Sequence, residues 1–413
     1  MFPSYFIPTL VSLLSISKMV TASCSVGPHD AATITEDIDF TEVGYNFGAN
    51  HPKAKVWFGK TKPSFPEDIS TPRELIIDTG STGIVLARSL LTNWDPLTEE
   101  VAAKEGYLFL SSSKRLYVGW WVFRNVYFNR DVTTTRLIKA RTEILVLKEA
   151  INCTDYRIGS DGRTCPSGGI VDTNPRTALM GIGFGRTADG MEQSTPDRNP
   201  VLNIEAIRGT NVISNLAFSL GYIITKKGLT IGLTRTNYDL AGFLSARAPL
   251  PTPPSSIPPP PDHLRAYGQL PGCIKVAGIP SACVSCSVLL DTGVEQSYMR
   301  VEGDPASHSS WPFYPGWPVH KKGDPGTSDP SSAPKPPASI LDTGKTVDIA
   351  LGTARVAELV YTTDDGSPES PIWVNAYHDK LFRFPFVNTG RHVYRKYKVA
   401  FDPVCGTLAF VHV

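Results

Sequence analysis

Glu74-Leu75-Ile76-Ile77-Asp78-Thr79-Gly80-Ser81-Thr82-Gly83-Ile84-Val85-Leu86 is the stretch on which the reading of this chain turns. Leu75 to Ile77 is an apolar run and predicts a buried strand. It delivers one carboxylate, Asp78, into a tight turn. Gly80 lets that turn bend without a Cβ penalty, and Ile84 to Leu86 leads away as a second apolar run. A charge at the end of a buried strand is costly unless it is hydrogen-bonded or used. Thr79 and Ser81 set hydroxyls beside Asp78 that can donate to it. The pattern returns 213 residues later as Ser287-Val288-Leu289-Leu290-Asp291-Thr292-Gly293-Val294. Two copies of strand, Asp-Thr-Gly and turn predict two halves, each supplying one carboxylate.

The rest of the chain bounds the class. Its 413 residues are 41% hydrophobic and 10% aromatic, enough for a sizeable core in two ordinary domains or one large bilobal one. Lys plus Arg number 40 against 39 Asp plus Glu, a balance that makes no case for nucleic acid or an anionic membrane as partner. Residues 1–22 resemble a secretory signal peptide. Phe6 to Ile16 is mostly apolar, and Val20 and Ala22 occupy the small-residue positions of a cleavage site, so maturation near Ser23 is expected. No Lys or Arg precedes that run and Lys18 follows it; the other reading is a buried N-terminal strand or helix. No other stretch has the length and apolarity to span a bilayer, and an apolar lipid-anchor tail is lacking at the end.

Seven cysteines in a secreted chain favour disulfides with one thiol left over. Cys153 with Cys165 is the natural local pair; the other partners stay open. Cys283 and Cys286 have C-x-x-C spacing, but no second such pair or close His pair completes a metal site. Asn152-Cys153-Thr154 is an acceptor sequon for glycosylation on a surface loop.

Along the chain, short apolar runs between turn residues predict strands. They include Lys55 to Phe58, Val126 to Phe128, Ile144 to Leu147, Ala178 to Ile182, Ala217 to Leu220, Tyr222 to Thr225 and Leu229 to Leu233 in the first part. Cys273 to Val276, Val347 to Leu351, Val356 to Tyr361, Ile372 to Val374, Phe382 to Val387, Tyr397 to Phe401 and Leu408 to Val411 follow in the second. Ser111 to Val122 reads as a hairpin. Pro200 to Ile207 is expected as one short helix. Pro249 to Pro260, within 246–265, cannot be sheet interior because proline removes ladder donors, so it is a linker or exposed loop. Residues 303–339 read as a Pro/Ser-rich surface insertion. Sustained helical periodicity is scarce, so the class is mainly β.

These residues together resemble the pepsin-like aspartic peptidase family, from about residue 40 to the end. Ile76-Ile77-Asp78-Thr79-Gly80-Ser81-Thr82 is similar to the family's first active-site turn, and Leu289-Leu290-Asp291-Thr292-Gly293 to its second. Leu179-Met180-Gly181 fits the apolar-apolar-Gly strand that such proteins thread beside the turn, 103 residues after Asp78. Phe386-Val387-Asn388-Thr389-Gly390 is its counterpart, with Gly390 99 residues after Asp291. Phe218-Ser219-Leu220 with Gly228 to Gly232, and Tyr397 to Asp402 with Leu408 to Phe410, resemble the closing strands of the two halves.

The resemblance implies a bilobal acid-protease fold with pseudo-twofold related lobes, 40–245 and 266–413. It implies Asp78 and Asp291 as the catalytic pair, supported by Thr79, Gly80, Ser81, Thr292 and Gly293, and a flap carrying Tyr117 and Gly119. The expected activity is an aspartic endopeptidase, secreted and monomeric, acting on peptides or proteins without metal or other cofactor. Two like charges held close cannot both ionise, so such a pair holds one proton, and the roles belong to the pair.

There are departures from the family pattern. Val294 stands where many members have Ser or Thr, and Asn388-Thr389 replaces apolar residues. Val85 takes the place of a Trp that supports the flap tyrosine, and Trp120-Trp121 follow Gly119 where small residues are usual. A third Asp-Thr-Gly at Asp342 has only Ile340-Leu341 before it and reads as an ordinary turn. Two alternatives remain. One is a pepsin fold kept for binding or inhibition with weak or lost catalysis, which Val294 and the unusual flap would suit. The other is a β-rich carbohydrate-binding or wall protein with chance Asp turns, which explains none of the register.

Overall fold

The computed structural model describes residues 29–42, 44–48, 50–60, 71–91, 94, 104–129, 138–158, 161–184, 186, 191–248, 267–277, 283–300, 319–321, 339–341, 344–363, 365–367, 370–371, 374–376 and 385–413. The expected signal segment, Pro249 to Pro260, nearly all of 303–339 and Asp342 lie outside them.

The chain is mainly β. Its described strands form sheets of ten, nine and six strands. The ten-stranded sheet draws on residues between 53 and 211, the nine-stranded one on residues between 270 and 388. The six-stranded sheet takes strands from both ends of the chain. Tyr222–Ile224 pairs there with Tyr397–Asp402, and Leu244–Arg247 with Thr407–His412. In the ten-stranded sheet, Arg115–Phe128 and Ile138–Asn152 pair along their whole length and close six strands into a ring.

The two Asp strands are built alike. Arg73–Asp78 buries Leu75 and Ile77 completely, as the apolar run predicts. Ala178–Ile182 lies parallel beside it, Ile77 opposite Met180 and Asp78 opposite Gly181. That strand also pairs antiparallel with Thr82–Ala87, which is buried along its entire length, as a strand covered on both faces must be. In the second half, Val284–Leu289 runs parallel to Phe386–Asn388, which pairs antiparallel with Ser297–Arg300. The near-equal offsets in sequence are therefore one pairing pattern used twice. A Cβ at Gly181 would come within 2.6 Å of the Thr82 backbone, so this close crossing admits only glycine. One apolar cluster contains Ile77 and Met180 from the first pattern and Val288, Leu290 and Val387 from the second. Each fully buried Leu or Ile in it contributes roughly 1.5–3 kcal/mol.

Two expectations change. Pro200 to Ile207 is not a helix: Ile204–Ile207 is a strand on the edge of Ile138–Asn152. The Asn199 side chain accepts from Val201 N, and the Asn203 side chain donates to Pro196 O and Asn199 O. These bonds give the backbone a turn in place of a helix start. Ala217 to Leu220 is turn and coil, because Asn215 closes local bonds to Ala217 and Phe218.

Cys153 and Cys165 form the expected disulfide. Cys283 pairs with Cys273 and leaves Cys286 a buried free thiol, so the C-x-x-C spacing joins nothing. No described helix is long and apolar enough to cross a membrane.

Candidate active site

Each Asp turn folds its own donors onto its own carboxylate. Gly80 N donates to Asp78 Oδ1 at 2.7 Å and Ser81 Oγ to Oδ2 at 2.6 Å. Gly293 N donates to Asp291 Oδ1 at 2.8 Å. Val294 has no hydroxyl to match Ser81, and the amide of Asn388 fills the gap: its Nδ2 donates to Asp291 Oδ2 at 2.6 Å. Asn388 is placed to do so because the parallel pairing sets it opposite Leu289. Its own Oδ1 accepts from Gly390 N at 2.8 Å.

The two turns are tied face to face by their threonines. Thr79 N donates to Thr292 Oγ1 at 3.0 Å, and Thr292 N to Thr79 Oγ1 at 2.9 Å. Thr79 Oγ1 then donates to Leu290 O at 2.6 Å, and Thr292 Oγ1 to Ile77 O at 2.7 Å. Every bond has its counterpart across an approximate twofold. Tyr394 adds an unmatched one, donating to Thr79 Oγ1 at 3.1 Å. All of these groups are buried, where unmade bonds are expensive, so the network fixes the turns against each other.

The result brings Asp78 and Asp291 together, sharing a hydrogen bond between their carboxyl groups. A Cβ on Gly80 would lie 2.3 Å from Asp291 Cγ, and one on Gly293 2.5 Å from Asp78 Oδ1. Gly80 is thus required by the opposite carboxylate, a reason distinct from the turn conformation expected of it. Burial first, and then the charge of Asp78, push Asp291 up to about 7; the Asn388 amide and Gly293 N act the other way. A carboxyl that keeps its proton toward neutrality beside a second carboxylate is what a shared proton requires.

Comparison with known family models and with curated proteins finds no match.

A cavity of about 180 Å³ opens over the pair. Ile76, Leu179, Met191, Leu289, Tyr298 and Phe386 give it apolar walls. The predicted hairpin covers it, with arms Lys104–Leu110 and Arg115–Phe128 joined at Ser111 to Lys114. Its tip, Leu108 to Ser113, lines the cavity. Tyr117 and Gly119, expected to carry the flap contact, do not. Tyr117 stands opposite Leu108 on the third rung and packs into a second apolar cluster with Val85 and Trp121. Gly119 sits at a bulge, where a Cβ would strike Val146 O at 2.0 Å. Trp121 packs its indole on Gly106, donates to Glu192 Oε2 at 3.1 Å and lies under the Arg198 guanidinium.

Two side chains at the site carried no sequence signal. His51 lines the cavity, and its Nδ1 is 3.2 Å from Arg391 Nη1. Their separation of 340 residues hides the pair from any local pattern. Elsewhere among the described residues, two clusters have the residue types of a metal site, His29 with Asp402 and Cys405, and Cys153 with Asp155 and Cys165. Their cysteines are disulfide-bonded and so offer no thiolate.

Proposed function

We propose that this chain is a secreted aspartic endopeptidase of the pepsin-like type, with lobes 40–245 and 266–413 related by a pseudo-twofold through the Asp turns. The observation that carries the reading is the pair of Asp-Thr-Gly turns joined by reciprocal threonine bonds with their carboxyl groups in hydrogen-bonding contact. A plain β-turn has no need of a second carboxylate against it. The Asn388 amide supplies the donor that Val294 lacks, which removes one ground for the inactive-binder alternative. The disulfides Cys153–Cys165 and Cys273–Cys283 suit an oxidising compartment.

The pair works with one proton between its two members. The ionised carboxylate takes a proton from a water as that water attacks the scissile carbonyl carbon. The protonated carboxyl donates to the carbonyl oxygen, which becomes a hydroxyl of the tetrahedral intermediate. Collapse returns a proton to the carboxylate pair and moves another to the leaving amine. The apolar walls keep bulk water from competing and strengthen the pair's electrostatics. The hairpin tip closes over the extended peptide.

The test is an unbiased peptide-library digest across acid to neutral pH, with wild type, Asp78→Asn, Asp291→Asn and Asp342→Asn. Cleavage by wild type and by the Asp342 variant, lost alike in the other two, is expected because the pair acts as a unit. A wild type that cleaves nothing, or an Asp291→Asn that retains turnover, overturns the reading. Activity should fall as the shared proton leaves, with the alkaline limb near the value of about 7 to which Asp291 is raised.

A further inference from the structure

His51 and Arg391 stand beside the carboxylates, yet the hydrolytic steps do not use them. The bond from Ile77 N to Pro52 O (2.8 Å) holds the residues before Lys53–Gly59 against the end of the first Asp strand, which brings His51 to the cavity. A guanidinium only donates, so His51 Nδ1 accepts from Arg391 and Nε2 carries the imidazole proton. The Thr292 backbone also faces His51 and favours its charged form. Thr292 N already donates to Thr79 Oγ1, so the group that faces Nε2–H is the Thr292 carbonyl. Arg391 is 1% exposed. Its backbone N donates to Val294 O at 3.1 Å, and its Nη2 faces Glu295 Oε2 at 3.5 Å. Glu295, Arg391 and His51 thus close a loop of contacts around the second Asp turn. In the first half the apolar Ile182 follows Gly181 where Arg391 follows Gly390.

We propose that His51 and Arg391 are positioning residues for the second Asp turn, that their brace holds only while His51 is neutral, and that protonation of His51 limits turnover on the acid side. The limit on turnover rests on the peptidase reading; the brace does not. Protonated His51 has no acceptor left at Nδ1, and two cations would face each other at 3.2 Å. That contact must open, and the loop breaks at Arg391, while Nε2–H still faces the Thr292 carbonyl. Burial, Arg391 and Lys53 oppose that protonation, while the Asp78 carboxylate and the Thr292 backbone favour it. Burial is the largest influence, and together they hold His51 below the ordinary imidazole value, so the brace survives into the acid range. Around Arg391, the facing groups are Tyr45, Glu295, Arg395 and Asp291.

Two measurements test this. The first is NMR titration of the His51 imidazole in the full chain, wild type against Arg391→Gln. Glutamine can still donate to Nδ1 but carries no charge, so the His51 midpoint should rise. An unmoved midpoint overturns the brace, whether or not the protein cleaves peptides. The second is the pH dependence of kcat/KM for wild type and His51→Gln. Glutamine supplies one acceptor and one donor and does not protonate, so the acid limb should drop from a two-proton slope to a one-proton slope. Superimposable limbs overturn the acid-limit role. A merely structural His51 would lower rates at every pH alike and leave the slope unchanged. If no peptide is cleaved, the peptidase reading fails on its own and the titration still decides the brace.

Discussion

Asn388→Leu separates the amide from the carboxylate it serves. Leucine occupies nearly the same volume but can neither donate to Asp291 Oδ2 nor accept from Gly390 N, bonds of 2.6 and 2.8 Å in the native site. A buried hydrogen bond to a charged group contributes about 1.5–3 kcal/mol. The Asn388 bond favours the ionised form, so its loss raises the proton affinity of the pair. At about 1.4 kcal/mol per unit, the acid limb of kcat/KM moves up by roughly 1–2 pH units. The alkaline limb moves in the same direction. Orphaning Gly390 N lowers stability by a further 1–3 kcal/mol or so, visible as an earlier urea midpoint. The assay is kcat/KM against pH on a fluorogenic peptide, beside the urea titration. A variant that loses stability while its acid limb stays in place refutes the reasoning.

The companion is Val294→Thr. From sequence alone, that added hydroxyl should lower the acid limb, since Val294 removes a donor. In the structure Asn388 already holds Asp291 Oδ2, so the single change should move it little. In the Asn388→Leu background the same threonine should recover part of the shift. Such non-additivity is the signature of two donors competing for one oxygen.

Two further predictions do not depend on the amide. Gly80→Ala sets a methyl 2.3 Å from Asp291 Cγ, forcing the carboxylates apart, and should cut kcat by 100-fold or so; full turnover would show that their spacing is not what matters. Asp291→Asn should change how stability depends on pH. The native carboxyl is raised to about 7 from 3.8, so the folded state keeps a proton there that the unfolded chain has released. Stability therefore falls as pH rises through that window, and the asparagine variant should flatten the fall in thermal melts; parallel curves would refute it.

What could be read ahead of the structure was whatever repeats locally. The two Asp strands announce themselves because an apolar run ends on Asp-Thr-Gly twice, with a glycine at a matched distance behind each. The hairpin was legible from Ser111-Ser112-Ser113-Lys114 between alternating runs. Where sequence reading failed, a local pattern had two solutions and a tertiary contact chose between them. The spacing of Ile204 and Ile207 suits a helix face, but asparagine side chains end the turn before them and the edge of the neighbouring sheet takes them up. Tyr117 looked like a flap residue by type. Of the described hairpin residues the tip, Leu108 to Ser113, lines the cavity, while Tyr117, across from Leu108, packs in the second cluster.

The two halves differ most where their sequences depart most from a simple repeat, and those departures compensate one another. Val294 withholds a hydroxyl from Asp291, and on its own this reads as decay of the site. Asn388, a polar residue in place of an apolar one, reads alone as a packing defect. The parallel register of Phe386–Asn388 on Val284–Leu289 joins the two, carrying the amide to the oxygen that the valine cannot reach. Arg391 reads as a misplaced charge until His51, Glu295 and Val294 O are seen around it. A chain drifting from function would be expected to lose such donors singly. Here the one lost donor on the second turn, the hydroxyl absent at Val294, is replaced within hydrogen-bonding distance by Asn388, and Arg391, three residues on, ties the same turn through Val294 O. If the compensation is real, Asn388 and Val294 should couple in a double-mutant cycle through the acid limb, and Arg391 should couple to His51 but not to Ser81, whose turn is completed by its own residues.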